Sequence, residues 1–183
     1  MVASHLKHIL DREALTPPAQ EGRVRLRQAN VMEVEVVELP PDATVISLEK
    51  LGRLSGLKKG QWLQTCDYLL VFSQGDQNQA VFVELKRTLD EEGSRAMEQL
   101  RRSLPLLDYL LSVCRVHFGD GASRIAVRYL LIGQRRRAHF DKRPSVSPDP
   151  ERNLRTQEYK NITVSTFVGA RFPLDFLPRA ART

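Results

Sequence analysis

The sequence has few cysteines, no long apolar run and none of the common nucleotide-binding motifs. Only Cys66 and Cys114 occur among 183 residues, which excludes a disulfide framework and a zinc site built on cysteines. No stretch of 18 apolar residues is present, and the charged first residues do not resemble a signal peptide. Neither GxGxxG nor GxxxxGKS/T occurs. We therefore expect an intracellular, cytoplasmic protein with no membrane partner.

Positive charge is in excess, and it is concentrated in the second half of the chain. The net charge is +6 and the pI is about 9.6. Residues 101–183 contain 16 Lys and Arg against 7 Asp and Glu, whereas residues 1–100 contain 12 against 15. Such a distribution indicates a polyanionic partner, and nucleic acid is the first candidate. The alternative is a soluble protein whose surface is simply basic.

The apolar pattern predicts a single α/β domain over residues 1–183. A short helix is expected at 4–15 and a long one from the capping box of Thr88 and Glu91 to Cys114, kinked or split near Pro105. Alternating or continuous apolar residues predict strands at 23–27, 31–39, 67–73, 80–86, 124–132 and 161–168. This order of elements is typical of a central mixed β-sheet flanked by helices.

Charged residues interrupt the predicted hairpin of strands 67–73 and 80–86. Glu84 and Lys86 are two residues apart, so they point to the same face of a sheet. If residues 74–79 form the loop, Asp67 lies opposite Lys86, Phe72 lies opposite Val81, and Glu84 is a diagonal neighbour of Asp67. Two such carboxylates can bind one Mg²⁺ ion, and a lysine beside them can position water or stabilise a phosphate. A structural ion pair is the alternative interpretation.

With the helix that follows, this arrangement resembles the PD-(D/E)xK nuclease superfamily. The similar segments are CDYLLVF, AVFVELK and AMEQLRRS, within a core at 61–134. Cys66 stands where the motif has proline. The resemblance implies the restriction-endonuclease-like fold, a Mg²⁺ or Mn²⁺ cofactor, and hydrolysis of phosphodiester bonds. Both DNA and RNA stay open as substrates, and DNA is the favoured partner.

The resemblance also implies a role for individual side chains. Asp67 and Glu84 would be metal ligands, Lys86 the catalytic lysine, and Gln99 a supporting residue of the active site. Many members of the superfamily add a glutamate from an upstream helix. Two residues are candidates for this additional acid, Glu13 and Glu49.

Several basic residues are candidates for contact with phosphates. Arg95 and Arg102 lie on the same helix as Gln99, and all three have an alternative interpretation as solvated surface. The densest cluster falls in a segment at 135–152, which its three prolines predict to be a loop, and comprises Arg135, Arg136, Arg137, Lys142 and Arg143. Contacts from this cluster would give salt-dependent binding without sequence preference, and a solvated loop is again the alternative.

We therefore predict a metal-dependent nuclease, which is a hydrolase that acts on phosphodiester bonds of nucleic acid. Two alternatives use the same fold: a catalytically degenerate protein that binds nucleic acid without cutting it, and a protein-assembly subunit. The partner expected is nucleic acid, with a homodimer or a larger defence- or repair-type complex as a further option.

Overall fold

A computed structural model of the chain describes residues 2–17, 22–28, 32–51, 65–89, 94–119, 125–136 and 153–177. The helices are α1 (Val2–Ile9), α2 (Ser94–Arg102) and α3 (Leu104–Phe118). The strands are β1 (Leu15–Thr16), β2 (Val24–Gln28), β3 (Met32–Val37), β4 (Thr44–Ser47), β5 (Tyr68–Gln74), β6 (Gln77–Leu89), β7 (Ile125–Arg136), β8 (Leu154–Tyr159), β9 (Ile162–Val168) and β10 (Arg171–Pro173).

Seven strands form one mixed sheet in the order β1-β4-β5-β6-β7-β9-β8. β6, β7 and β9 run parallel to one another, and the remaining pairs of this sheet are antiparallel. A parallel pair requires a crossover connection, which α2 and α3 supply between β6 and β7. A second sheet, in the order β10-β3-β2, contains the remaining three strands. The expected α/β domain with a mixed sheet is therefore confirmed.

The two faces of the large sheet are covered differently. All three described α-helices pack on one face, where their apolar residues meet Leu69, Phe82 and Leu131. The opposite face, which includes Leu70 and Val83, packs against the three-stranded sheet. Within the described residues, the α-helices that flank the large sheet therefore lie on one side of it. Because both faces of the central parts of β5 and β6 are covered, residues 68–72 and 80–83 are continuously apolar.

The β5–β6 hairpin has a shorter turn than the sequence pattern predicts. Gln74 pairs with Gln77, so Gly75 and Asp76 alone form the turn, and Gly75 has the positive φ of 60° that a type II′ turn needs at its first central residue. The predicted pairing of Phe72 with Val81 is wrong, since Phe72 pairs with Gln79. The shift is two residues, and each side chain therefore keeps the face that was predicted for it.

Helix boundaries differ from the predictions in two places. The first helix ends at Ile9 instead of extending to 15. The capping box is also wrong, because Thr88 is in β6 and the second helix is described only from Ser94. The predicted split is confirmed, since α2 and α3 are separated at Ser103 and Pro105 lies in the first turn of α3. Proline is tolerated there because the first turn has no intrahelical partner for its nitrogen.

The strands after α3 also extend beyond the predicted bounds. β7 continues to Arg136, so residues 135 and 136 are strand and not loop. β8 was not predicted, and four of its six residues are exposed. It forms the edge of the sheet beside β9.

Within the described ranges, no helix is long and apolar enough to cross a membrane.

Candidate active site

Glu84 and Lys86 form an ion pair on the helix side of β6. Both side chains share the face of Phe82, because residues two apart on a strand point the same way. The Glu84 side chain is fully buried, whereas that of Lys86 is 30% exposed. Oε1 of Glu84 accepts a hydrogen bond from Lys86 Nζ. Oε2 is buried and has no hydrogen-bond partner within the described part of the chain. This acceptor oxygen therefore lacks the partner that buried polar atoms normally have.

Asp67 lies beside Glu84 at the start of β5. Tyr68 pairs with Val83, so the preceding residue comes next to Glu84 and not, as predicted, opposite Lys86. Oδ2 of Asp67 accepts a hydrogen bond of 2.8 Å from the backbone N–H of Leu85. This bond ties the start of β5 to β6 and brings the three predicted residues together despite the error in register.

The end of β2 also reaches this site. Gln28 Nε2 donates to Oδ1 of Asp67 at 3.3 Å. Next to it, Arg27 donates its N–H to the Tyr68 hydroxyl at 2.9 Å, and that hydroxyl donates to the Arg27 carbonyl at 2.6 Å. The second sheet therefore holds one oxygen of Asp67. Sequence analysis missed Gln28, because the strand pattern at 23–27 carries no information about which strand it packs against.

Gln99 contacts the lysine from α2. Its Oε1 accepts a hydrogen bond from Lys86 Nζ at 3.4 Å, and its Nε2 donates to the Thr65 carbonyl at 3.3 Å. Gln99 is therefore partly buried at the site and is not simply solvated surface. Ser103 secures the same helix, since its hydroxyl accepts from the Cys66 N–H and donates to the Gln99 carbonyl, both at 2.8 Å. Ser103 was also missed, although it marks the predicted helix break.

Burial dominates the protonation of both carboxyl groups. The pKa of Glu84 is raised to about 7, chiefly by burial and then by the negative charge of Asp67, while Lys86 opposes both effects. Burial also raises the pKa of Asp67, while the Leu85 N–H and then Lys86 lower it. A cation between these groups would favour the ionised form of each.

Of the two upstream glutamates, Glu49 is the one whose charge acts on Asp67. It is exposed in the turn after β4, and its negative charge raises the pKa of Asp67. Glu13 is exposed in the turn that precedes β1. Among the described residues, no group of three or more His, Cys, Asp or Glu side chains is arranged to hold a metal ion.

The fit of a divalent cation rests on two carboxylates. Asp67 and Glu84 are neighbours, and the unpartnered Oε2 of Glu84 is the kind of atom that a cation would satisfy. Mg²⁺ is commonly held by one or two carboxylates, with water and substrate phosphate as its other ligands. The residues present therefore fit Mg²⁺ or Mn²⁺.

The predicted phosphate contacts are only partly within the described residues. Arg95 is exposed on α2, and Arg102 pairs with Glu98 on the same helix at 2.9 Å. Arg135 and Arg136 continue β7 past Gly133, the partner of Lys86, so their backbone lies at the same end of the sheet as the site. The remaining predicted residues, Arg137, Lys142 and Arg143, lie outside the described residues.

Comparison with known proteins adds no family to this description. No protein-family model matches the chain, and neither a curated protein nor a solved structure matches it.

Proposed function

We propose that the chain is a metal-dependent nuclease of the PD-(D/E)xK type, with a restriction-endonuclease-like fold and DNA as the expected substrate. The observation that carries the proposal is the grouping of Asp67, Glu84 and Lys86 at one end of two central strands. A fully buried carboxylate with an unpartnered oxygen is costly for a merely structural site. A bound cation would offset that cost.

Each residue then has a distinct role. A Mg²⁺ or Mn²⁺ ion held by Asp67 and Glu84 would supply an activated water and neutralise charge on the phosphate. Lys86 has a partly exposed ammonium that can donate a hydrogen bond to a phosphate oxygen or orient a water. Gln99 holds that ammonium on the side of α2, and Gln28 holds Asp67 on the side of β2.

A cleavage assay tests the proposal. We expect the purified chain to hydrolyse end-labelled oligonucleotides with Mg²⁺ or Mn²⁺ and to stop when EDTA is added. Ca²⁺ should support binding but little cleavage, because its coordination geometry is looser. Single- and double-stranded DNA and RNA are tested in parallel, which ranks the substrates. If no substrate is cut with either metal, and calorimetry detects no Mn²⁺ binding, the nuclease proposal is wrong.

The same assay separates the two alternatives. Binding of nucleic acid without cleavage would indicate the degenerate protein, in which the Glu84–Lys86 ion pair has a structural role alone. The assembly subunit has one observation in its favour: the exposed large apolar residues of the described ranges, Tyr109, Val116 and Phe118, all lie on α3. A chain that neither binds nor cuts nucleic acid would support that function.

The arginine cluster at 135–137 provides a separate prediction. Replacing Arg135, Arg136 and Arg137 with Ala should weaken nucleic-acid binding equally for all sequences. The slope of log K against log salt concentration should become shallower by nearly one unit for each phosphate contact that the substitutions remove. Titrations at several salt concentrations measure this slope. An unchanged slope would remove these residues from the binding surface.

A further inference from the structure

Charge is segregated between the two faces of the edge strand β8. Gln157 and Tyr159 pair with Val164 and Ile162, which belong to the core on the helix side, so Arg155 shares that side with them. Gln157 contacts Met97 of α2, which confirms that α2 lies next to this edge. Glu158 points to the opposite side, where it accepts a hydrogen bond from Thr163. The helix side of β8 therefore carries an arginine and no carboxylate.

One carboxylate on α2 forms ion pairs with three basic side chains beside β8. Glu98 accepts hydrogen bonds from Arg101 at 2.7 and 3.2 Å, from Arg102 at 2.9 Å and from Lys160 at 2.9 Å. The Tyr159 hydroxyl lies 3.4 Å from the same carboxylate. Contacts with Arg101, Lys160 and Arg102 hold the pKa of Glu98 far below its usual range, so it stays ionised. Three basic side chains therefore share the Glu98 carboxylate.

The cluster keeps its cations accessible. The side chains of Arg101, Arg102 and Lys160 are 36%, 33% and 55% exposed, although each is held by Glu98. Long side chains that are already ordered lose less conformational entropy when they bind a ligand. Partly exposed cations that are held in an ion pair are well suited to phosphate groups, which accept several charge-assisted hydrogen bonds at once.

This surface is in register with the candidate active site. Glu84 pairs with Leu131, Leu131 with Thr166, and Thr166 with Arg155. These four residues therefore form one row across the sheet on the helix side. Three strand spacings of about 4.8 Å place Arg155 about 14 Å from Glu84 along the row. α2 packs against β6 and β7, two of the strands that this row crosses, and its Arg95 is exposed.

We propose that the helix side of β8 and the exposed face of α2 form a phosphate track, on which a nucleic-acid strand lies as it leaves the site at Glu84. Arg155, Lys160 and Arg101 are the contacts that define it. The proposal rests on the proposed nuclease function, because the track begins at that site. The track contacts only the phosphate backbone of the nucleic acid, so its binding has no preference for sequence.

Binding measurements with two neutralised positions test the track. Arg155→Ala and Lys160→Ala are combined, with Arg115→Ala, an exposed arginine on α3, as the matched control. Fluorescence anisotropy of labelled single- and double-stranded oligonucleotides is recorded with Ca²⁺ at several salt concentrations. Removal of each phosphate contact should reduce the salt slope by roughly 0.7–0.9, and affinity at 0.1 M salt should fall roughly tenfold or more. The control should keep both values, and circular dichroism should show all variants folded.

The outcomes separate this inference from the function on which it rests. If the double variant shows the wild-type slope of log K against log salt concentration while the wild type cleaves DNA, the phosphate track is wrong and the nuclease function is supported. If the wild type binds nucleic acid without cleaving it, and the salt slope is shallower in the double variant, the phosphate track is supported and the nuclease function is wrong. Absence of nucleic-acid binding by the wild type overturns both. Binding of anionic phospholipid vesicles in its place would assign the surface to a membrane and overturn the track.

Discussion

Replacement of Asp67 by Asn or of Glu84 by Gln is expected to lower the rate of metal-dependent DNA cleavage by roughly a hundredfold or more. Each substitution keeps the shape of the side chain and removes the charge that a divalent cation requires. A metal ion contributes several kcal/mol to the transition state of phosphate hydrolysis, and about 1.4 kcal/mol corresponds to a factor of ten in rate. Glu158→Gln, on an exposed strand, is the matched control and should cleave at the wild-type rate.

Two further measurements show that the loss concerns the metal. Mn²⁺ binding followed by calorimetry should weaken strongly in both variants, whereas DNA binding should persist, because fewer negative charges then face the phosphates. Lys86→Ala should also lower turnover but retain Mn²⁺ binding, since the lysine acts on water or phosphate. Equal cleavage by wild type and Asp67→Asn would contradict the assignment of the site.

The free energy of unfolding is expected to fall as the pH rises from about 4.5 to about 7, through the contribution of Glu84. In the folded protein the pKa of Glu84 is raised to about 7 by burial and by the charge of Asp67. A glutamate in the unfolded chain has a pKa of roughly 4.3. Between these values the folded state binds more protons than the unfolded state, so stability decreases with rising pH. The full effect is roughly 4 kcal/mol for this single group.

The comparison of wild type with Glu84→Gln isolates this contribution from the other titrating groups. Because Gln carries no charge at any pH, the variant should gain stability relative to wild type between pH 5 and pH 8. Urea unfolding at both pH values measures that difference. Glu158→Gln, at an exposed carboxylate, serves as the control variant. A constant difference between wild type and Glu84→Gln would show that Glu84 titrates normally.

Metal binding should have the opposite dependence on pH. Mn²⁺ requires the ionised carboxylate, so a proton competes with it below pH 7. We expect the affinity for Mn²⁺ to fall about tenfold for each pH unit below that point. Mn²⁺ should consequently stabilise the protein more at pH 8 than at pH 5, a change that thermal unfolding detects.

The error in the hairpin turn shows why a site can be predicted without its register. The apolar runs at 67–73 and 80–86 are long enough to identify both strands, and side chains alternate with a period of two. The sequence pattern places Gly75 and Asp76 within a six-residue loop, which moves the predicted register by two residues. A shift by an even number leaves every side chain on its face, so Glu84 and Lys86 still meet Asp67.

The sequence by itself determined the central strands, the helix break near Pro105 and the side chains that form the candidate site, since these depend on local periodicity and chain stiffness. Only the tertiary structure decided that a second sheet covers one face, that Gln28 supports Asp67, and that β8 exists at all. β8 is mostly exposed and has no apolar pattern. It forms because β9 offers unpaired backbone groups, and such a partner, set by the tertiary fold, is invisible to any local pattern.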